Sequence, residues 1–424
     1  MQHDTTKFFS QFSSSDSPKM HLHILSMHTS PLDQPGTADA GGMNVYILRS
    51  LQALLKLYPN LSVEVFTLDT SGSSSPSAQV SEVLPRTVVH SLQVDAAAGA
   101  SKDQLPALVD DFAKAVADAA LENPDIVHSH YWLSGMSVLS LLEGAWKDYS
   151  VPWVHTMHTT AAAKDARSGQ GEDREPQARY EGEQKICQQV TSLVVNTVDE
   201  AQQMVRWYGA QEEKTVVIPP GVDSQVFHDV VPSRRMNEGS SSECFLVFAG
   251  RPQPLKGLHI LVEALALLPQ DISVRCAFIG QGSPEYHQQL VSRAEELGVD
   301  ECIDFYPSYP PEELAEFFRR ADIVAVPSSS ETFGLVALEA QACGAAVLAS
   351  DVDGLKSAVA DGVSGVLVSP RTPKAWAIAV EQMVRSPQSR RLLGQNGAHR
   401  AREKTWEHSA EDMLRLYRTL MSLA

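Results

Sequence analysis

Strand-like and helix-like segments alternate along this chain, and the alternation runs twice, once on each side of "TVVIPPGVDSQVF" (residues 215–227). Strand–helix–strand units at this spacing build parallel sheets with right-handed crossovers. In the first half, "SVEVFTLD" (62–69), "DIVHSH", "PWVHTMH" and "SLVVNT" read as short apolar strands. "SKDQLPALVDDFAKAVADAALEN" predicts a helix capped by Ser101, with Leu105, Leu108, Val109 and Phe112 on one face. The pattern breaks at Pro219 and Pro220 and at the polar "DVVPSRRMNEGSSSE", then restarts at "CFLVFAG" (244–250). A chain of 424 residues is also too long for one ordinary core. The expected fold is therefore α/β, with two doubly wound, Rossmann-like domains facing across a cleft. Their expected extents are 20–228 and 229–400, and the helical segment 401–424 is placed to pack back on the first domain. Residues 1–19, polar and Ser-rich, read as a disordered tail. Met20 is a candidate start, which an intact mass beginning at Met1 would reject.

Charge narrows the partners. A formal net charge of -18 argues against nucleic acid, whose phosphates are bound through basic surface. It leaves room for a small anion, because a few cations focused in a cleft outweigh the global sign. No apolar run reaches the length of a membrane span, and the N-terminus lacks the apolar core of an export signal. Five scattered cysteines without a CxxC pair suit a reducing compartment, so a cytoplasmic protein is expected, with a homodimer left open.

Ligands of open α/β sheets bind beyond the carboxyl ends of the strands, so chemistry is sought in the loops found there. "HTSPLDQPGTADAGGMNVYI" (28–47) places Gly41 and Gly42 where a strand gives way to a helix, a position that admits close backbone approach to an anion. It contains no GxGxxG fingerprint. "GRPQPLKG" presents Arg251 and Lys256 on a proline-shaped loop, suited to phosphate. Glu331 and Glu339 in "SETFGLVALE" flank a helix start, so a diphosphate on the amides with a glutamate toward each sugar ring suggests a nucleotide sugar. His128, His130, His155 and His158 carry no carboxylate at ligand spacing. Hydrogen bonding and packing are expected of them, with His158 nearest the cleft.

Together, Glu331-x7-Glu339, "GRPQPLKG", "PPGVD" and the glycine-containing first loop resemble the retaining family-four glycosyltransferases of the GT-B fold, from about Met20 to the end. More narrowly, "HTSPLDQPGTADAGGMNVY", "HSHYWLSG", "HTMHT" and "VPSSSETFGLVALEAQACG" resemble the branch that moves N-acetylglucosamine from UDP-GlcNAc to 1D-myo-inositol 3-phosphate in mycothiol biosynthesis. The resemblance implies donor contacts at His28, Gln34, Pro35, Gly42, Arg251, Lys256, Glu331 and Glu339. It implies acceptor contacts at Asp39, Ala40, Gly41, Gly42, Met43, Asn44, Lys102, Tyr131, Thr159 and Arg179. Arg251, Lys256, Glu331 and His158 would serve catalysis. No cofactor is required beyond the UDP-sugar substrate. A family metal position falls on Phe318, Arg319 and Ala321, where a structural magnesium is conceivable and no catalytic one is expected. Two positions depart from the family pattern: Tyr309 replaces a frequent arginine, and Ala345 a common threonine. The implied route is front-face transfer with closure about Pro219–Pro220. Its rivals are a sucrose-phosphate-type or mannosyl acceptor, a UDP-GlcNAc 2-epimerase and a catalytically silent binding protein.

Overall fold

The computed structural model describes residues 18–33, 41–71, 84–166, 174–229 and 243–423. In the first lobe the chain runs through β1 (Met20–Leu25), α1 (Gly42–Leu57), β2 (Leu61–Leu68), β3 (Thr87–Leu92), α2 (Val109–Ala119), β4 (Ile126–His130) and α3 (Trp132–Glu143). It continues through β5 (Trp153–Thr156), α4 (Ala161–Asp165), α5 (Gln177–Gln189), β6 (Ser192–Val195), α6 (Val198–Tyr208) and β7 (Thr215–Val217). Among the described residues these strands form a seven-stranded parallel sheet in the order β3-β2-β1-β4-β5-β6-β7. β1 is buried along its whole length because helices cover both faces, so that even its alternating His21 and His23 lie inside the protein.

The second lobe begins with β8 (Cys244–Ala249), α7 (Leu258–Leu265), β9 (Val274–Ile279), α8 (Pro284–Leu297), β10 (Ile303–Tyr306), α9 (Pro311–Arg320) and β11 (Ile323–Val326). It ends with α10 (Leu335–Ala342), β12 (Ala346–Ser350), α11 (Asp353–Ala358), β13 (Gly365–Val368), α12 (Pro373–Arg385) and α13 (Pro387–Ala401). Its described strands form a six-stranded parallel sheet, β10-β9-β8-β11-β12-β13. In each lobe the order doubles back beside the first strand, and that reversal opens a crevice at the carboxyl ends.

The last helix, α14 (Trp406–Leu423), belongs spatially to the first lobe. Trp406, Met413, Tyr417 and Leu420 are buried in the same apolar cluster as Met20, Leu22 and Ile24 of β1 and Ile47 of α1. The two connections between lobes touch as they cross. Val222 donates its amide to Lys404 O at 2.9 Å, and a Cβ on Gly221 would lie 2.1 Å from the Thr405 backbone. Glycine is required there by that approach.

One helix starts later than its sequence suggests. Ser101 does not cap α2: its amide meets the Gln104 side chain at 2.8 Å in a local turn. Pro106 then sits in a short 3₁₀ turn (Leu105–Leu108), and α2 starts only at Val109. Proline has no amide hydrogen to donate to the carbonyl four residues back, which delays the α-helix. The apolar face is nevertheless as expected, with Leu105, Leu108, Val109 and Phe112 all buried. Residues 1–17, and with them most of the proposed tail, lie outside the described residues, as does 230–242.

Candidate active site

A pocket open to solvent in the cleft between the lobes is lined from one side by His158, Thr159 and Lys164, and from the other by Glu331, Thr332 and Gly354. Thr332 donates to the carbonyl of His158 at 2.6 Å, linking the two lobes. Parallel register brings the ends of β1, β4 and β5 to one edge of the sheet, so His28, Tyr131 and His158 emerge side by side. Tyr131 and His158 both have positive φ, 70° and 61°. A non-glycine residue in that region costs on the order of 1–3 kcal/mol and persists where surrounding structure imposes it, most often at functional sites.

On this edge the predicted acceptor cluster gathers around the Tyr131 ring. The Arg179 guanidinium lies 5.0 Å from its centroid, Lys102 Nζ 6.0 Å and the His28 ring 4.3 Å. Arg179 Nη2 donates to Thr159 O at 2.9 Å. Lys102 and Thr159 are exposed at the rim. Arg179 differs from the expectation. It is only 2 % exposed and is held by Glu183 (Nε to Oε1, 2.8 Å) and Glu175 (Nη1 to Oε2, 2.8 Å). Burial pushes the Glu183 carboxyl above its usual range even against Arg179. Glu175, despite its own desolvation, is kept below the usual range by Lys164 and Arg179. Arg179 and Glu183 stand four residues apart on one face of α5, and Glu175 precedes that helix at the same spacing, a signal in "EPQARYEGE" that foretells this clamp.

Other first-lobe expectations also change. Asn44 is buried and shapes the loop: its Oδ1 accepts from Gly41 N at 3.1 Å, while Nδ2 donates to Thr29 Oγ1 at 2.8 Å and to Ser30 O. It faces the protein, so a contact with an acceptor ring is not its role in this state. Met43 is half-buried and packs against the cores on both faces of the sheet. At Gly41 and Gly42 an added Cβ meets no described atom within 4 Å, so the described packing does not demand glycine at either position. Gln34, Pro35, Asp39 and Ala40 lie outside the described residues. His158, proposed for catalysis, pairs Nε2 with His130 Nδ1 at 2.9 Å, and burial holds it well below its ordinary value. Hydrogen bonding is the role expected of His158, and it lines the cleft with Nε2 engaged by His130. His28 is likewise neutral, lowered to about 3 by desolvation and then by Lys102 and Arg179. His128 bonds Tyr417 Oη and Thr156 Oγ1, and His155 bonds Ser129 Oγ, at 2.7–2.9 Å.

In the second lobe, Arg251 follows β8 and Lys256 closes a short turn at Pro254–Lys256. Gly257, at φ 72°, ends that turn, and a Cβ there would lie 2.2 Å from Pro327 O. Lys256 Nζ ion-pairs Glu331 Oε1, which also accepts from Ser328 Oγ at 2.9 Å. Both partners are partly exposed, at 28 % and 18 %. Glu331 is thus engaged by Lys256 rather than presented to a sugar. Glu339, in the second turn of α10, lies near the Arg49–Asp223 pair (3.0 Å) contributed by α1 and the linker. Desolvation pushes its carboxyl up to about 8, with Arg49 opposing. Sequence reading missed Arg49 and Asp223, which only the packing of the lobes brings to Glu339. Tyr309 stacks on Phe317, and Ala345 is fully buried. The family's metal position fits a cation poorly here: Phe318 is a buried core ring, its carbonyl accepts from Ala321 N, and Arg319 brings its own charge to Val226 O.

Two parallel-sheet lobes, a cleft at the strand ends and cations on the loops around it define a GT-B glycosyltransferase. The family models agree: residues 41–221 match a glycosyl transferase 4-like domain and 233–400 match glycosyl transferases group 1. The chain is 40 % identical over 421 residues to the D-inositol 3-phosphate glycosyltransferase of Kribbella flavida, covering 95 % of this chain and 96 % of the relative. It is 42 % identical over 408 residues to that of Geodermatophilus obscurus, covering 93 % and 88 %. Among solved structures, sucrose-phosphate synthase from Thermosynechococcus elongatus superposes with a TM-score of 0.86 at 28 % identity, covering 96 % of this chain and 100 % of that one. Anabaena HepE with UDP and glucose shares the fold at 0.71 and 18 % identity, covering 94 % and 100 %. The chain belongs to the D-inositol 3-phosphate glycosyltransferase family. Among the described residues, no helix is long and apolar enough to cross a membrane.

Proposed function

We infer that this protein transfers N-acetylglucosamine from UDP-GlcNAc to 1D-myo-inositol 3-phosphate with retention of anomeric configuration, the first committed step of mycothiol biosynthesis. The observation that carries the reading is the identity of about 40 % along nearly the whole chain to proteins of that name. The placing of Lys102 beside Tyr131, with Thr159 exposed at the same rim, supports it, because a phosphate monoester is recognised through charge-assisted donors. The acceptor phosphate docks at Lys102 on the rim, and the clamped Arg179 keeps Thr159 and Tyr131 in place.

On the donor side the diphosphate displaces Glu331 from Lys256, since a more highly charged anion is the stronger partner for an ammonium. Glu331 is thereby released to accept sugar hydroxyls. Arg251 and Lys256 then stabilise the charge that develops on departing UDP, whose phosphate takes the proton of the attacking hydroxyl from the same face. Closure of the lobes, held by the Thr332–His158 bond, excludes water. In this reading the side chains alone carry the charge, and no catalytic metal is invoked.

A second reading keeps the chemistry and changes the phosphate-bearing acceptor, favoured by the 0.86 superposition on sucrose-phosphate synthase. UDP release is to be measured from several UDP- and GDP-sugars, with inositol 3-phosphate, with sugar phosphates and with no acceptor. Release from UDP-GlcNAc that depends on inositol 3-phosphate is expected. Acceptor-independent release, or a preference for a sugar phosphate, overturns the assignment.

A further inference from the structure

The first-lobe sheet carries another cluster of ionisable groups near its amino-terminal edge, away from the cleft. His21 and His23 stand two residues apart on β1 and so share a face. Parallel register sets Glu64 of β2 beside His23, and His90 of β3 reaches the same carboxylate from the other side. Glu64 Oε1 lies 2.8 Å from His21 Nε2 and 3.5 Å from His23 Nε2, while Oε2 lies 2.7 Å from His90 Nε2. The amides of Leu121 and Glu122, just beyond α2, donate to the same group. His23 is the anomaly. It has 0 % exposure, packs against Phe66 and Trp146, and has no hydrogen-bond partner at either ring nitrogen. Buried polar atoms are ordinarily satisfied, so an orphan imidazole facing a carboxylate calls for an explanation.

We propose that His21, His23 and Glu64 bind a divalent transition-metal ion of the zinc class in a structural site, with His90 holding the second carboxylate oxygen. The three ligand atoms lie within 4.8 Å of one another. Tetrahedral ligands about 2.0–2.2 Å from zinc stand roughly 3.3–3.5 Å apart. The 3.5 Å between His23 and Glu64 already has that spacing. The hydrogen-bonded His21–Glu64 pair gives up its shared proton and opens by roughly half an ångström to match. Ser62 Oγ, 2.8 Å from His21 Nδ1, orients that ring with Nε2 toward the ion, and the ion gives His23 Nε2 the partner it lacks. Two imidazoles and one carboxylate suit zinc-class ions and not calcium or magnesium, which favour oxygen. The fourth position falls to water, which enters past His21 and His90, the slightly exposed members at 9 % and 6 %. A metal here joins β1 to β2 and, through the Leu121 and Glu122 amides, to the end of α2. It acts on stability and not on transfer.

The test uses the full chain, free of any histidine tag, stripped with a chelator and titrated with zinc. Element analysis after desalting is expected to show about one zinc per chain, with a raised melting temperature, and cobalt(II) to give the intense visible bands of a tetrahedral site. His23→Asn and, independently, Glu64→Gln, each checked for folding by circular dichroism, are expected to lose the retained ion, the thermal shift and the cobalt bands. Wild-type protein that retains no metal, or folded variants that retain as much as wild type, overturn the proposal.

Discussion

The two lobes present positive charge to the cleft in opposite ways. In the first lobe, Arg179 is buried, clamped by two glutamates and tied to the Thr159 carbonyl, so its charge is spent inside the protein. In the second, Lys256 sits on a glycine-closed turn, partly exposed, with Glu331 as its paired carboxylate. Desolvation accounts for the difference. A buried cation cannot exist without fixed counter-charges, whereas a partly solvated one can exchange its partner for a ligand. Arg179 belongs to a rigid frame in the first lobe, and under the proposed function Lys256 of the second is the cation that exchanges its partner for the donor.

The largest effect that would break this contrast lies at Arg179. Arg179→Leu leaves Glu183 buried without its counter-ion and is expected to cost about 3–5 kcal/mol of stability. Urea unfolding measures this. A variant as stable as wild type that has lost its response to acceptor would make Arg179 a binding group instead. Lys256→Ala should behave the other way. The exposed pair contributes at most about 1 kcal/mol to folding, so the unfolding midpoint moves little. Turnover, however, falls on the order of 100- to 1000-fold, as for loss of one preorganised donor. Near-normal steady-state turnover of this variant removes Lys256 from the mechanism.

The effect that depends on pH concerns Glu339, between the lobes. Its carboxyl is raised from about 4.5 to about 8 by desolvation, so the folded protein holds a proton that the unfolded chain has released. The stability it contributes is therefore complete below pH 4.5 and is lost as pH rises toward 8. Glu339→Gln should flatten that decline, read as the urea midpoint against pH for the two proteins. Parallel profiles would show that its partly exposed carboxyl stays ionised and make it a third, movable charge.

Much of this was legible in the sequence because it is periodic. Alternating apolar segments foretold both sheets, and β8, α7, β11 and α10 fall where the pattern put them. Strand-end loops also pointed to Tyr131, Thr159, Arg251 and Lys256. The strands β3, β7 and β13 were not singled out, and Ser101 was assigned a cap that Pro106 forestalls. His21, His23, Glu64 and His90 passed unnoticed because they are distributed over three strands, and only the pairing register makes them neighbours.

Local chemistry, written in order along the chain, determined the class of fold, the position of the break between lobes and the residue types able to handle phosphate. Which of those residues spend their charge internally was decided by tertiary structure alone. Burial sets the cost of an ion, and burial depends on what packs over a residue from distant segments. Arg179 and Lys256 read alike as cations in sequence. One became part of the frame and the other stayed available because only one of them was taken out of water.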